Sequence, residues 1–172
     1  MKTLQTIQKT CNVFRILTGV AFAFCVVGAV LSGVGALCAV VQWHGGTIFS
    51  LFGEPIRLFA EGTDLARKSA ELLARTFMLT AEAILFALTR GCLKAELADG
   101  TPFTRSGADR LRKLGIRFIY IPIIAVSVSA VVAVWQGVEN LGGVSNFGSL
   151  VTGIVMIFVS LILRYGAELE SR

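Results

Sequence analysis

Glu82 is the residue whose type and position most clearly invite chemistry. It interrupts the apolar stretch from Thr76 to Thr89, the short membrane part of a helix expected to run on to about Leu97. A carboxylate at mid-span costs roughly 2.5–3.5 kcal/mol on insertion scales, so such a group is expected to face a bundle interior or a wet cavity. Seven-residue spacing puts Arg75, Glu82 and Thr89 on one helical stripe, with Thr80 to the side. Two readings stay open. Glu82 is a proton or cation site, or a sensor whose charge state shifts helix packing; or it is a buried carboxyl held by a hydroxyl such as Ser127, Ser129, Thr152 or Ser160.

The other reactive side chains are scattered. Cys11, Cys25, Cys38 and Cys92 form no CxxC pair, and His44 is the single histidine, so no zinc set is expected. There are no paired carboxylates at a span end, no histidine cluster and no nucleophile with a nearby base. The chain therefore reads as a non-enzyme without a cofactor. A second cluster is electrostatic. Thr104 is placed to cap a helix running from Arg105 to Gly115, with Ala108, Leu111 and Leu114 on one side and Arg110, Arg112 and Lys113 towards the other. A basic amphipathic helix beside a membrane lies on anionic headgroups, at about 1 kcal/mol per basic residue. The same charges also serve topology. No recognition fold accompanies them, which argues against direct nucleic-acid binding.

The elements that must position these groups follow from composition. Of 172 residues, 55% are apolar and only 16% charged, against about a quarter charged in an ordinary soluble domain. Ile16 to Val41 is 26 residues without a charge, or roughly 39 Å of helix, longer than the ~30 Å hydrocarbon core. That run is too long for a signal peptide. It reads as the first of four spans, at about 16–41, 72–90, 117–136 and 147–164. Small residues recur on it at four-residue spacing: Ala21, Cys25, Ala29 and Gly33 on one line, Gly28, Ser32 and Ala36 on the next. Such lines let helix backbones approach closely. Residues 42–63 are too apolar for a solvated loop, and they are expected on the outer surface or capping the bundle. Thr63 can cap a helix starting at Asp64.

Charge placement decides the second span, which is short. Residues 90–117 hold seven Lys/Arg, and the connection between spans three and four holds none. Without a second crossing, residues 42–117 would lie outside with eleven Lys/Arg, against the positive-inside rule. The fold class is thus all-α: one membrane domain over 1–172, four transmembrane helices, and a cytoplasmic amphipathic helix between the second and third. Both termini are expected in the cytoplasm.

Two stretches resemble a known family. Asp99-Gly100-Thr101-Pro102-Phe103-Thr104, followed by Arg110-Leu111-Arg112-Lys113-Leu114-Gly115, resembles the central "G-x-P-F-T … L-R-x-x-G" signature of the domain-of-unknown-function family 2975. Leu163-Arg164-Tyr165-Gly166-Ala167-Glu168-Leu169-Glu170 is similar to its closing "F-R-Y-G-x-E-L-Q" pattern. The chain departs from the pattern in ending at Arg172, without the longer acidic-polar tail of some members. The resemblance implies a small four-helix protein of the bacterial inner membrane, often a companion of helix-turn-helix regulators. Independently of the family, Arg164 sits where the fourth span meets the headgroups and could reach phosphates, Glu96 or Asp99.

These features frame two functional expectations. The first is a non-enzymatic envelope sensor, or a membrane tether for a cytoplasmic regulator. The second is a small transporter or channel subunit, a homo-oligomer, that uses Glu82.

Overall fold

The computed structural model describes the backbone of residues 2–46, 50–51, 54–55, 58–60, 62–99, 105–138 and 147–170. The described elements are α1 (Lys2–Trp43), β1 (Ser50–Leu51), β2 (Glu54–Pro55), α2 (Leu65–Asp99), α3 (Arg105–Trp135) and α4 (Phe147–Glu170). All four helices are long and apolar enough to cross a membrane. Large apolar side chains point outward on them: Phe24, Leu31, Val131, Val134 and Phe158 are each at least 65% exposed. In water such a surface would drive association, whereas acyl chains solvate it. Trp43 and Trp135, each at the last residue of its helix, are also exposed, as aromatic residues at a membrane interface are.

Local chemistry sets the helix ends. Asp64 caps α2, its Oδ1 accepting the Arg67 backbone N–H at 3.1 Å; the cap is therefore Asp64 and not Thr63, because a carboxylate one residue nearer reaches the third helical N–H. At the end of α1, Gly45 donates to the Gln42 carbonyl and Gly46 to that of Val41. Gly137 and Val138 repeat the pattern after α3, on Val134 and Ala133. Both closures turn on a glycine at positive φ, 78° at Gly45 and 72° at Gly137, a conformation that costs a side-chain-bearing residue. Within residues 42–63, β1 and β2 pair antiparallel, Leu51 opposite Glu54.

The basic stretch from Arg105 to Gly115 is not a helix of its own. It forms the first turns of α3 and continues without a break into the third span. Pro122 lies inside α3, where a transmembrane helix tolerates both the missing N–H and the crowding of the ring against the preceding turn. Residues 100–104, with the expected Thr104 cap, lie outside the described residues.

The chain divides into two compact units. The first comprises residues 1–24, 82–123 and 146–172; the second comprises 25–81 and 124–145. In the second unit the small-residue lines of α1 seat against α2. Gly28 receives Leu79 and Gly33 lies under Thr76, so the lines serve packing within one chain, and Gly35 beside them lies under Leu72. Ser69, fully buried, sits 2.8 Å from the Ala66 carbonyl and 3.2 Å from Gln136 Oε1. Gln42 ties the end of α1 to the connection that follows. Its Nε2 donates to the Phe59 carbonyl at 3.0 Å and its Oε1 accepts the Phe59 N–H.

In the first unit α3 and α4 approach closely at a pair of glycines. A methyl group placed on Gly115 would stand 2.9 Å from the Gly153 carbonyl oxygen and 3.1 Å from the Ile157 nitrogen. One placed on Gly153 would stand 2.8 Å from the Gly115 carbonyl oxygen. Backbone meets backbone here, and no side-chain rotation can relieve the overlap. Replacing Gly115 or Gly153 with Ala is expected to cost about 1–3 kcal/mol. By contrast Gly91, with open space around its Cα, should tolerate Ala or gain about 0.5–1 kcal/mol in its helix. Denaturant titration of the three variants in mixed micelles checks the contrast; equal behaviour would remove the glycine contact as a stability determinant.

Candidate functional site

Three helices of the first unit enclose a cavity of about 220 Å³. Each wall is a row of side chains at helical spacing. From α2 come Thr89, Cys92 and Glu96; from α3 come Gly107, Leu111 and Leu114; Met156 and Leu163 complete it from α4. Leu114 is the residue before Gly115, so the cavity begins where the α3–α4 glycine contact ends. Beside that contact Leu111, Met156 and Leu163 border the space between the helices.

Glu96 is the charged residue among those that line the cavity, and both of its carboxylate oxygens are buried. Arg110 Nε stands 3.7 Å from Glu96 Oε1, an ion-pair separation longer than a hydrogen bond. The guanidinium is anchored on its own helix, Nε donating to the Ser106 carbonyl at 3.3 Å and an Nη to Ser106 Oγ at 3.1 Å. Thr89 donates its hydroxyl hydrogen to the Leu85 carbonyl at 2.8 Å, which leaves its oxygen as an acceptor.

The residues singled out from sequence separate in space. Arg110 does not stand with Arg112 and Lys113 on an outer basic face; it turns to Glu96, while Arg112 and Lys113 are exposed. A helix rotates about 100° per residue, so positions 110 and 112 diverge widely. Arg164 is exposed near the end of α4, and Glu96 forms an ion pair with Arg110. The side chain of Asp99 lies outside the described residues.

Glu82 corrects the expectation of an interior carboxylate. It is exposed on α2, as is Arg75. The buried line of that helix runs through Ala70, Ala74, Met78, Ala81 and Leu85, and Glu82 falls one residue off it. Three of the four hydroxyls considered for it bond their own helices: Ser129 the Ala125 carbonyl, Thr152 that of Gly148 and Ser160 that of Ile157. In the sequence Glu96 stands out only as a group within reach of Arg164, because it lies among the charges flanking the second span. The available signal was its seven-residue spacing from Thr89 opposite the Gly107, Leu111, Leu114 row.

The ion pair is asymmetric in what it leaves behind when broken. Arg110→Ala strips the counter-charge from a buried carboxylate, whereas Glu96→Gln removes a charge and keeps the shape. Removing one partner of a buried pair costs about 3–5 kcal/mol; with Arg110 one-third exposed, about 1–3 kcal/mol is expected. The double variant Glu96→Gln/Arg110→Ala should recover part of that loss, and a double-mutant cycle in micelles reads the coupling. Strict additivity would show the two side chains to be energetically independent.

Comparison of the chain with protein-family models, curated proteins and solved structures finds no match.

Proposed function

We propose that this is a non-enzymatic protein of the bacterial inner membrane that senses the envelope and tethers a cytoplasmic regulator. It would be a relative of the family its two motifs resemble, with both termini in the cytoplasm. The observation that carries this reading is the start of α3. Arg112 and Lys113 are exposed on adjacent positions, while the neighbouring Arg110 is drawn to Glu96. Charge that only held the loop inside would work equally well in any orientation. Two cations presented outward from a helix fixed to the bundle make a rigid docking point for an acidic surface. The resemblance names the partner class, a small helix-turn-helix regulator, so contact with nucleic acid would be indirect. Arg164, exposed near the end of α4, extends the same cationic character and can also meet anionic headgroups.

Photo-crosslinking in living cells tests the tether. A crosslinker at position 112 or 113 should capture a cytoplasmic protein with a helix-turn-helix domain. Arg112→Gln/Lys113→Gln should abolish its co-purification without lowering the amount of protein in the membrane. Crosslinks to lipid alone would refute the tether and leave headgroup binding as the role of these charges.

A second reading is favoured by Glu82. An exposed carboxylate within a span is costly against acyl chains, and a second copy packed over that face of α2 would shield it together with Arg75. That arrangement suits a homo-oligomeric transporter or channel subunit. Proteoliposomes should then pass cations or protons, with the flux lost in Glu82→Gln while the oligomer persists in size analysis. A tight bilayer with the native chain eliminates this reading.

A further inference from the structure

We propose that the cavity between α2, α3 and α4 binds one small, uncharged, apolar molecule, about the bulk of a single substituted ring. The chemistry of the walls sets the class. Leu93, Leu111, Leu114, Met156 and Leu163 line it, and Cys92 behaves as one more small hydrophobe. The polar residues of the lining are turned to other partners. Both Glu96 oxygens are inaccessible and the carboxylate is paired with Arg110, so what Glu96 shows the space is its methylene stem. Thr89 spends its hydroxyl hydrogen on the Leu85 carbonyl. A cavity water needs about two to four polar partners, and walls of this kind do not supply them. A charged or strongly polar ligand would give up its hydration without replacement. An apolar one has no hydration of that kind to lose.

Volume sets the size. About 220 Å³ exceeds the ~150 Å³ apolar cavity that admits benzene. It falls short of the roughly 300–1,000 Å³ of sites for drug-sized ligands. One ring with small substituents suits the space, and the flexible thioether of Met156 adapts to the outline of what enters.

Position separates a free molecule from a lipid tail. On α2 the lining residues share their turns with Arg90 and Lys94, and on α3 with Arg110, Arg112 and Lys113. Cations gather at the level of the headgroups. Acyl chains run from that level towards the bilayer centre, so a chain would have to fold back to enter the cavity. A free apolar molecule dissolved near the interface carries no such tether. Leu93, Leu111, Met156 and Leu163 are only part-buried, which gives it a way in. The site goes beyond the docking role of α3, because it needs neither Arg112 nor Lys113.

The test uses the full chain in phosphatidylcholine nanodiscs, with isotope-labelled methionine methyl groups read by NMR and toluene as the probe. The chain holds three methionines. Met156 lines the cavity, whereas Met78 is buried in the second unit and serves as the control. On titration the Met156 signal should shift along a saturable one-site curve while the Met78 signal stays in place. Benzylammonium and benzoate should bind at least about tenfold more weakly than toluene. Leu163→Trp should abolish the saturable shift by filling the space. If that variant fails to fold, the contrast between Met156 and Met78 and the charged analogues still decide on the native chain. A shift that never saturates, or equal movement of Met78 and Met156, overturns the proposal. So does tighter binding of either charged analogue, or a saturable shift that survives in folded Leu163→Trp. Contacts from lipid chains to the Met156 methyl group that toluene removes would make an acyl chain the occupant and overturn the free-molecule assignment. Arg112→Gln/Lys113→Gln should bind toluene as the native chain does, so a failed tether and a failed binding site are told apart.

Discussion

Close approach of helix backbones through small residues is the constraint on which the rest of this structure depends. In a bilayer, burying an apolar side chain between helices gains little over leaving it in lipid, so contact must come from van der Waals fit. The Gly115–Gly153 contact meets that requirement by bringing carbonyl oxygens to where side chains would stand. The glycines of α1 meet it by receiving Leu72, Thr76 and Leu79. Large apolar side chains are correspondingly turned outward, and the buried residues are mostly Ala, Ser, Cys and Gly. Against a soluble protein the pattern is inverted, for a reason that lies in the solvent.

The cavity follows from the same constraint. Beside the glycine contact, Leu111, Met156 and Leu163 border a space between the helices. A carboxylate at the edge of such a space needs a counter-charge, and Arg110 supplies it from α3. Arg112 and Lys113, two and three positions further along the helix, are exposed. A run of cations that is continuous in sequence is thereby divided between an internal ion pair and an exposed pair. The glycine closing the "L-R-x-x-G" stretch acquires a physical role of its own as the residue that lets α4 approach.

Glu82 teaches the converse. Its cost in lipid made an interior position the economical expectation, yet its helix buries the neighbouring line through Met78, Ala81 and Leu85. The face a helix buries is set by which of its rows offers the better fit to its neighbours. Small residues at 70, 74 and 81 offer that fit, and one costly side chain does not outweigh the row.

Much of the architecture was legible in the residues themselves. Charge-free run length gave four apolar helices, because a bilayer demands about 20 residues per crossing whatever the neighbours are. The small-residue lines of α1 announced a close helix contact for the same local reason. Other features depended on which helices meet and in what register. The cap at Asp64 instead of Thr63 turned on a single residue of reach. The fusion of the basic stretch into α3 had no marker, since nothing in the residues after Gly115 distinguishes a pause from a continuation. The pairing of Glu96 with Arg110 joins residues 14 positions apart on two helices, and the cavity adds residues of α4 to both. Periodicity within one helix reports which residues share a face; only the packed structure decides what that face meets, because the choice is made by fit between surfaces that are distant in sequence.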